Sequence, residues 1–239
     1  MSAEEKEIKK LIADAELNIK ANNLKGAGDI LKQAMQIAEN VGNEELINQI
    51  WEFIQGFTYS TQPQLIELNP IETKGFILDI GGGGEGIIGK LNGKQVVAID
   101  KNENELLETQ NEALKVIMDA TELKFLPKSF DVCTAFFSLM YIPTNNHLKV
   151  FEEVHRVLKD HGTLLLWDVK IPEALGDYKA FIVRLNVKLP TEEVEAGYGV
   201  KWQPQNIEYF KEVARKTNFK KINEWQKGEI FYLELSKEV

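Results

Sequence analysis

The chain has 239 residues, 44% of them hydrophobic, with 37 acidic against 28 basic side chains and a formal net charge of -9. That size and apolar fraction suit one α/β domain with a small appendage. The acidic balance, without a long run of Lys or Arg, counts against a nucleic-acid backbone as the main partner.

The N-terminus, "MSAEEKEIKK", is charged and lacks the apolar core of a signal peptide. No apolar run approaches the roughly 18 residues that would span a bilayer. The lone cysteine, Cys133, allows no intrachain disulfide and sits in the apolar run "FDVCTAFF", where a small buried core residue is expected. These features predict a cytoplasmic protein without a membrane partner.

Residues 3 to about 56 carry helical patterns. Ile8, Leu11, Ile12, Ala15 and Ile19 form one apolar stripe. Ala27, Ile30, Leu31, Ala34, Ala38 and Val41 form a second, and Leu46, Ile50, Phe53 and Ile54 suggest a third. The stretch "GAGDILKQAMQIAENVGN" resembles a single tetratricopeptide-like helical hairpin, although solenoids need about three repeats for stability. A helical cap on the main domain and a partner-binding module both fit residues 1–57.

From residue 75 the pattern alternates. "GFILDI", "QVVAID", "VIMDA", "FDVCTAFFS" and "GTLLLWDV" read as short strands buried on both faces. Helical patterns over 85–91, 103–112 and 147–158 separate them. The alternation predicts a doubly wound, mostly parallel sheet. A helix over "PQNIEYFKEVARKTNF" follows, and "KKINEWQ" and "IFYLELSK" predict a terminal hairpin that adds an antiparallel strand.

Between the first strand and its helix lies "DIGGGGEG". Gly81, Gly83 and Gly86 satisfy G-x-G-x-x-G, the dinucleotide fingerprint, in its proper context. Two acidic neighbours oppose a pyrophosphate there. Asp79 ends the strand at the loop, and like charges some 4 Å apart repel by roughly 4 kcal/mol at an effective dielectric of about 20. Glu85 adds a second negative group. A cationic or zwitterionic ligand is favoured by the same residues.

The order strand, Asp79, glycine loop, helix resembles motif I of the class I S-adenosylmethionine-dependent methyltransferases. "VVAID" ending in Asp100, "MDATELKFLPKSFD", and "SLMYI" through "FEEVHRVLKDHGTLLLWD" are similar to that family's later motifs, in order, over roughly residues 65 to 170. The match is to a methyltransferase type 11-like domain with a seven-stranded Rossmann-like sheet, here spanning 58–239. The resemblance implies S-adenosyl-L-methionine as cofactor. It implies that Asp79 acts on the methionine ammonium, while Gly81, Gly82 and Gly83 let the backbone pass beside the cofactor. Asp100 would accept the ribose hydroxyls, at about 1.5–3 kcal/mol for each charge-assisted bond. Asp119 would accept from the adenine amino group and Ala120 would hold the ring edge. Lys101, Phe136 and Tyr59 complete the implied cofactor-binding set. Two departures stand out: Glu85 occupies the position of the family's next glycine, and "RVLKDHG" replaces the commoner "RVLKPGG".

Methyl transfer requires alignment more than a protein nucleophile. Tyr141 and Asp168, at the carboxyl rim of the predicted sheet, are the catalytic candidates, with Met140 beside them. Asp168 could equally cap the following loop. His147, His155 and His161 have no metal-ligand company, and no metal is expected. The segment 172–203 is read as a substrate-side insertion, with Tyr178, Arg184, Tyr198 and Trp202 as pocket or lid candidates. Tyr59 and Thr61 could close over the cofactor.

There is no Asn/Asp-Pro-Pro-Tyr motif of amino-methylating enzymes. The single strand-borne cysteine fits neither cytosine-C5 nor arsenic methylation. The expected acceptor is a small molecule. A homodimer or protein partner through the N-terminal helices, a methyltransferase-like interaction protein and a nicotinamide-dependent oxidoreductase stay open as alternatives.

Overall fold

The structure is a computed structural model that describes residues 2–21, 23–173 and 175–238. It divides into two compact units, the first comprising Met1–Ser60, Leu175–Ile182 and Gly199–Trp202, the second Thr61–Ala174, Val183–Tyr198 and Gln203–Val239.

In the first unit, helices α1 (Ala3–Lys20), α2 (Leu24–Asn40) and α3 (Glu44–Phe57) follow the three apolar stripes. Each starts at a side-chain cap: Ser2 with Glu5 in a capping box, then Asn23 and Asn43. Such caps satisfy amide donors that the first turn leaves open. Ile8, Ala15, Ala27, Leu31, Ala34, Ala38, Leu46 and Ile50 form the shared core, with alanines where helices approach closely. Strand β1 (Thr58–Ser60) then pairs in parallel with Ala180–Ile182.

The second unit holds a seven-stranded sheet built from β3 (Ile77–Ile80), β4 (Val96–Asp100), β5 (Leu114–Ile117), β6 (Phe130–Phe136), β7 (Leu158–Val169), β10 (Phe219–Lys227) and β11 (Ile230–Lys237). Its order is β10-β11-β7-β6-β3-β4-β5. β3 pairs in parallel with β4 on one side and β6 on the other, so the chain winds outward in both directions from β3. Ligands of open α/β sheets bind at that switch point, beyond the carboxyl ends of the strands. β11 is antiparallel to β7 and to β10, as the terminal-hairpin reading expects. Helices α4 (Ile87–Asn92), α5 (Glu103–Glu108), α6 (Thr144–Val157) and α7 (Ile207–Lys216) make the crossovers and flank the sheet. The core joins Leu78, Ile80, Val97 and Ile99 of the central strands to Val150, Phe151 and Val154 of α6 and Phe210 and Val213 of α7.

Helix bounds differ from the sequence expectation in places; α6 starts at Thr144 rather than His147. α4 starts at Ile87 rather than Glu85, because Gly86 sits at φ +58°, in the left-handed region, which a right-handed helix excludes. α5 stops at Glu108, where the Thr109 hydroxyl turns to the carbonyls of Glu105 and Gly84.

The segment 172–203 is read from the sequence as a substrate-side insertion, without strands assigned to it. It forms β8 (Ala180–Lys188) and β9 (Glu193–Lys201), which pair with each other. Phe181, Val183, Leu185 and Val187 are buried at alternate positions, the period of a strand with one covered face. In the second unit, β2 (Gln64–Glu67) pairs in parallel with Leu185–Lys188. Among the described residues no helix is long and apolar enough to cross a membrane.

Candidate active site

The switch-point loop runs from Gly81 to Gly86, between β3 and α4. Gly81, Gly84 and Gly86 have φ of +71°, +62° and +58°, so the chain reverses through conformations that residues with a Cβ adopt only at a cost. The clearance at its first turn is taken up by the protein itself. A Cβ on Gly81 would lie 2.4 Å from Ser138 Cβ. One on Gly82 would lie 2.6 Å from Asp79 Oδ2 and 2.8 Å from Ala98 Cβ, and one on Gly83 would lie 2.6 Å from Glu105 Cβ. The loop is held by the amides of Gly81 and Gly82 donating to Ile99 O, at 2.8 and 3.0 Å, and by Gly84 N donating to Glu105 O.

Asp79 is 3% exposed. Its Oδ1 accepts from Thr134 Oγ1 at 2.7 Å. Burial raises its carboxyl to about 7; the Thr134 bond opposes this and the nearby Asp100 charge adds to it. Such a group ionises readily once a cation sits beside it. Asp100, at the end of β4, is partly exposed; its Oδ1 accepts from Asn102 N, and its Oδ2 lies 3.1 Å from where a Gly83 Cβ would be.

Asp119 follows β5. Its Oδ1 accepts from the amide and hydroxyl of Thr121, both at 2.8 Å, and Lys101 Nζ stands 2.8 Å from Oδ2. The Lys101 bond, followed by the Thr121 amide, holds its carboxyl down at about 2. A carboxylate has about four lone-pair sites, so one remains for a further donor. Ala120 is buried beside it.

β6 ends in Phe136, buried against Trp167 and Phe137. Phe137 has φ +51°, a strained value for an aromatic residue, held by its amide donating to Trp167 O at 2.8 Å. This bend sets Ser138 against Gly81. Ser138 Oγ is buried and has no hydrogen-bond partner among the described residues.

Tyr141 ends the short turn after Ser138 and is 52% exposed, at the rim. Asp168, in β7, is fully buried. Its Oδ1 accepts from Val169 N at 2.8 Å and Gln205 Nε2 at 2.7 Å, whereas Oδ2 makes no hydrogen bond to the described residues. Desolvation raises this carboxyl to about 7, opposed by the Val169, Gln205 and Met140 groups.

Of the insertion candidates, Tyr198 is the one on whose phenol the loop's Glu85 acts. Its ring stacks on Phe137 at 5.7 Å and 17°. Burial, then Glu85, push its phenol well above the ordinary value. Arg184 is exposed on β8 between buried Val183 and Leu185, and Thr61 Oγ1 accepts from its amide. Tyr59, Tyr178 and Trp202 lie in the first unit, where Tyr59 packs on Tyr178, Phe181 and Trp202.

The histidines serve structure. His147 is fully buried, between Tyr209 Oη and Leu139 O at 3.0 Å each, and burial lowers its pKa. His155 packs edge-on to Phe219, and His161 takes a left-handed turn. Cys133 is fully buried and its thiol is pushed well up, which makes it unreactive.

Sequence reasoning missed Thr134, Ser138 and Gln205. Ser138 follows the strand run "FDVCTAFF" directly, and its place beside the rim was readable. Thr134 and Gln205 are polar residues whose roles depend on partners 55 and 37 positions away.

The donor set fits a zwitterionic, cationic ligand: a buried carboxyl poised to ionise, a second carboxylate one strand over, a third beyond it, and an unpartnered hydroxyl at the loop. Residues 78–166 match the methyltransferase-domain family. No curated protein matches the chain. Among solved structures, an S-adenosylmethionine-dependent methyltransferase of Methanosarcina mazei superposes with a TM-score of 0.54 at 18% identity, covering 73% of this chain and all 100% of that one. A protein of Pyrococcus horikoshii gives 0.53 at 17% identity, over 70% of this chain and 84% of that one. Phosphoethanolamine N-methyltransferase 2 of Haemonchus contortus, in complex with S-adenosyl-L-methionine, gives 0.51 at 16%, over 71% and 50%. The likeness to a tetratricopeptide hairpin found no counterpart in these matches, which concern the sheet. With its strands in this order and its glycine loop at the switch point, the second unit has the Rossmann-like methyltransferase fold, and its residues 78–166 match a methyltransferase domain.

Proposed function

We propose that the protein transfers a methyl group from S-adenosylmethionine to a small-molecule acceptor at the carboxyl rim of β3, β6 and β7. The observation that carries this reading is the row of carboxyl groups Asp79, Asp100 and Asp119 at or just after the ends of three adjacent strands, around one glycine loop. Asp79, beside the loop, opposes a pyrophosphate there and so disfavours a nicotinamide dinucleotide, whereas Asp100 alone would fit either cofactor.

When bound, the cofactor supplies an activated methyl group on a sulfonium, so the protein need not furnish a nucleophile. Its residues bind and align, and alignment can lower the barrier by up to ~7–11 kcal/mol. Asp79 ionises and holds an ammonium group in a site that water does not reach. Asp100 accepts a pair of hydroxyls. Asp119, kept ionised and oriented by Lys101 and Thr121, offers its remaining lone pair to an adenine amino group, with Ala120 against the ring edge. Phe136 gives an apolar floor. Tyr141 stands on the acceptor side, and Asp168 positions the rim through Gln205 and the Met140 turn.

Calorimetric titration with S-adenosylhomocysteine tests the proposal. Binding by the wild type, weakened tenfold or more in Asp100→Ala, is expected. No binding by the wild type, or unchanged binding in the variant, overturns it.

A further inference from the structure

Asp168 and Gln205 lie buried against each other at the carboxyl end of β7, at 0% and 3% exposure. Gln205 Nε2 donates to Asp168 Oδ1 at 2.7 Å and to Val169 O at 3.1 Å. Two acceptors around that atom fix which end of the amide is nitrogen. Asp168 Oδ1 also accepts from Val169 N at 2.8 Å. One acceptor is left over on each side chain: Asp168 Oδ2 and Gln205 Oε1 are buried and have no partner among the described residues. An open buried acceptor costs about 1–3 kcal/mol.

Two bare oxygens cannot satisfy each other, but one proton on Oδ2 changes that. A carboxylic acid gains an O–H donor and still accepts at its other oxygen. It then matches a primary amide edge to edge, with Nε2–H donating to Oδ1 and Oδ2–H donating to Oε1. The pair is neutral, as a buried site prefers. Burial raises this carboxyl to about 7, and the groups that oppose the shift, on Val169, Gln205 and Met140, carry no charge. The titratable side chains on the surrounding elements are Tyr141 of the turn, His147 of α6, Tyr209 of α7, Lys170 after β7 and Glu229 before β11; none of them contributes to the shift.

The pair belongs to a clasp. Backbone bonds run both ways between Gln205 and Ile171, at 3.0 Å each, and tie the segment before α7 to the end of β7. In the same segment Gln203 Nε2 donates to Ile142 O at 3.0 Å, and Gln203 Oε1 accepts from Thr144 N at 3.3 Å. Residues 203–205 thereby hold the turn that carries Tyr141 to β7.

We propose that Asp168 works as a neutral carboxylic acid joined reciprocally to Gln205, a positioning residue whose ionisation loosens the clasp on the Tyr141 turn, and not as a base for the acceptor. The consequence for the acceptor rests on the methyltransferase reading, whereas the protonated pair does not. The pair is complete below about pH 7 and opens as the pH rises through that value, when charge on Oδ2 meets the Gln205 carbonyl.

Full-length protein with carbon-13 at its aspartate carboxyls is titrated by NMR from pH 4 to 9. The Asp168 carboxyl should hold its proton through pH 6 and titrate at about 7, its resonance identified by its loss in Asp168→Asn. Asp79, the other carboxyl raised to about 7, is identified likewise by Asp79→Asn. The Gln205 side-chain amide protons, assigned by their loss in Gln205→Leu, should shift with the Asp168 midpoint. Exchange of the Thr144 amide, corrected for the intrinsic effect of pH, should quicken about tenfold between pH 6 and 8.5 in the wild type. It should stay level in Asp168→Asn, where an amide–amide pair keeps both bonds at every pH. Titration of Asp168 below pH 5, a Gln205 amide indifferent to that titration, or the same exchange behaviour in both proteins overturns the proposal. If Asp168→Asn does not fold, Asp79→Asn leaves one raised carboxyl resonance, and the first two readings decide. No reading needs the cofactor, so failure of S-adenosylhomocysteine to bind would count against the methyltransferase reading alone.

Discussion

Replacing Asp79 by Asn should stabilise the free protein while abolishing cofactor binding. Asp79 is buried, with its carboxyl at about 7 against an ordinary 3.8. Below pH 3.8 the group is protonated in both folded and unfolded chains and has no effect. Between 3.8 and about 7 the unfolded chain loses the proton first, which favours unfolding. Above about 7 both states are ionised and the penalty is complete. About three units at ~1.4 kcal/mol each make it roughly 4 kcal/mol at pH 8, and about 1.5–2 kcal/mol at pH 5. Asn removes the titration, keeps an oxygen for the Thr134 hydroxyl, and adds an amide that must find a partner, costing about 1 kcal/mol. A net gain of about 3 kcal/mol is therefore expected at pH 8, shrinking towards pH 5. Urea unfolding of both proteins at the two pH values measures it, with the difference between them cancelling every other titrating group. Lower stability of Asp79→Asn at pH 8, or a gap that does not change with pH, would refute the reasoning. Retained S-adenosylhomocysteine affinity would refute the assigned role.

Gly82→Ala places a Cβ 2.6 Å from Asp79 Oδ2 and 2.8 Å from Ala98 Cβ; a loss of about 1–3 kcal/mol in denaturant unfolding, with weakened S-adenosylhomocysteine binding, is expected. Gln205→Leu removes the donor to Asp168 Oδ1 and should cost about 1–3 kcal/mol. Because Asp168 is already raised to about 7, losing that bond raises it further, so the cost should be greater at pH 8 than at pH 5. Lys101→Ala breaks a largely exposed pair and should change stability by less than ~1 kcal/mol. It should also lift the Asp119 carboxyl from about 2 towards 3.8, readable by NMR titration.

Much of the fold was legible because its signals are local. The runs "ILDI", "VVAID" and "LLLWDV" are nearly continuous in apolar residues, as strands covered on both faces must be, and the first two are each followed by a helical stripe. The alternation specifies crossovers, and the turn residues "KGE" specify the terminal hairpin. The cofactor-side candidates were legible for the same reason: a strand, an acidic end and a glycine turn form one contiguous unit. The strands β8 and β9 were hidden inside a segment read for its aromatic and glycine content, although Phe181, Val183, Leu185 and Val187 alternate plainly.

The amino-acid order by itself determined a doubly wound sheet, a reversing glycine loop and acidic groups at successive strand ends, since each depends on residues a few positions apart. Tertiary structure alone decided what those residues face. It put Ser138, Ala98 and Glu105 into the space that the glycines leave open, closed Gln205 onto Asp168, and stacked Tyr198 on Phe137. Contacts between residues tens of positions apart leave no periodic trace in either partner, and burial, which raises Asp79 and Asp168, is a property of the packed whole.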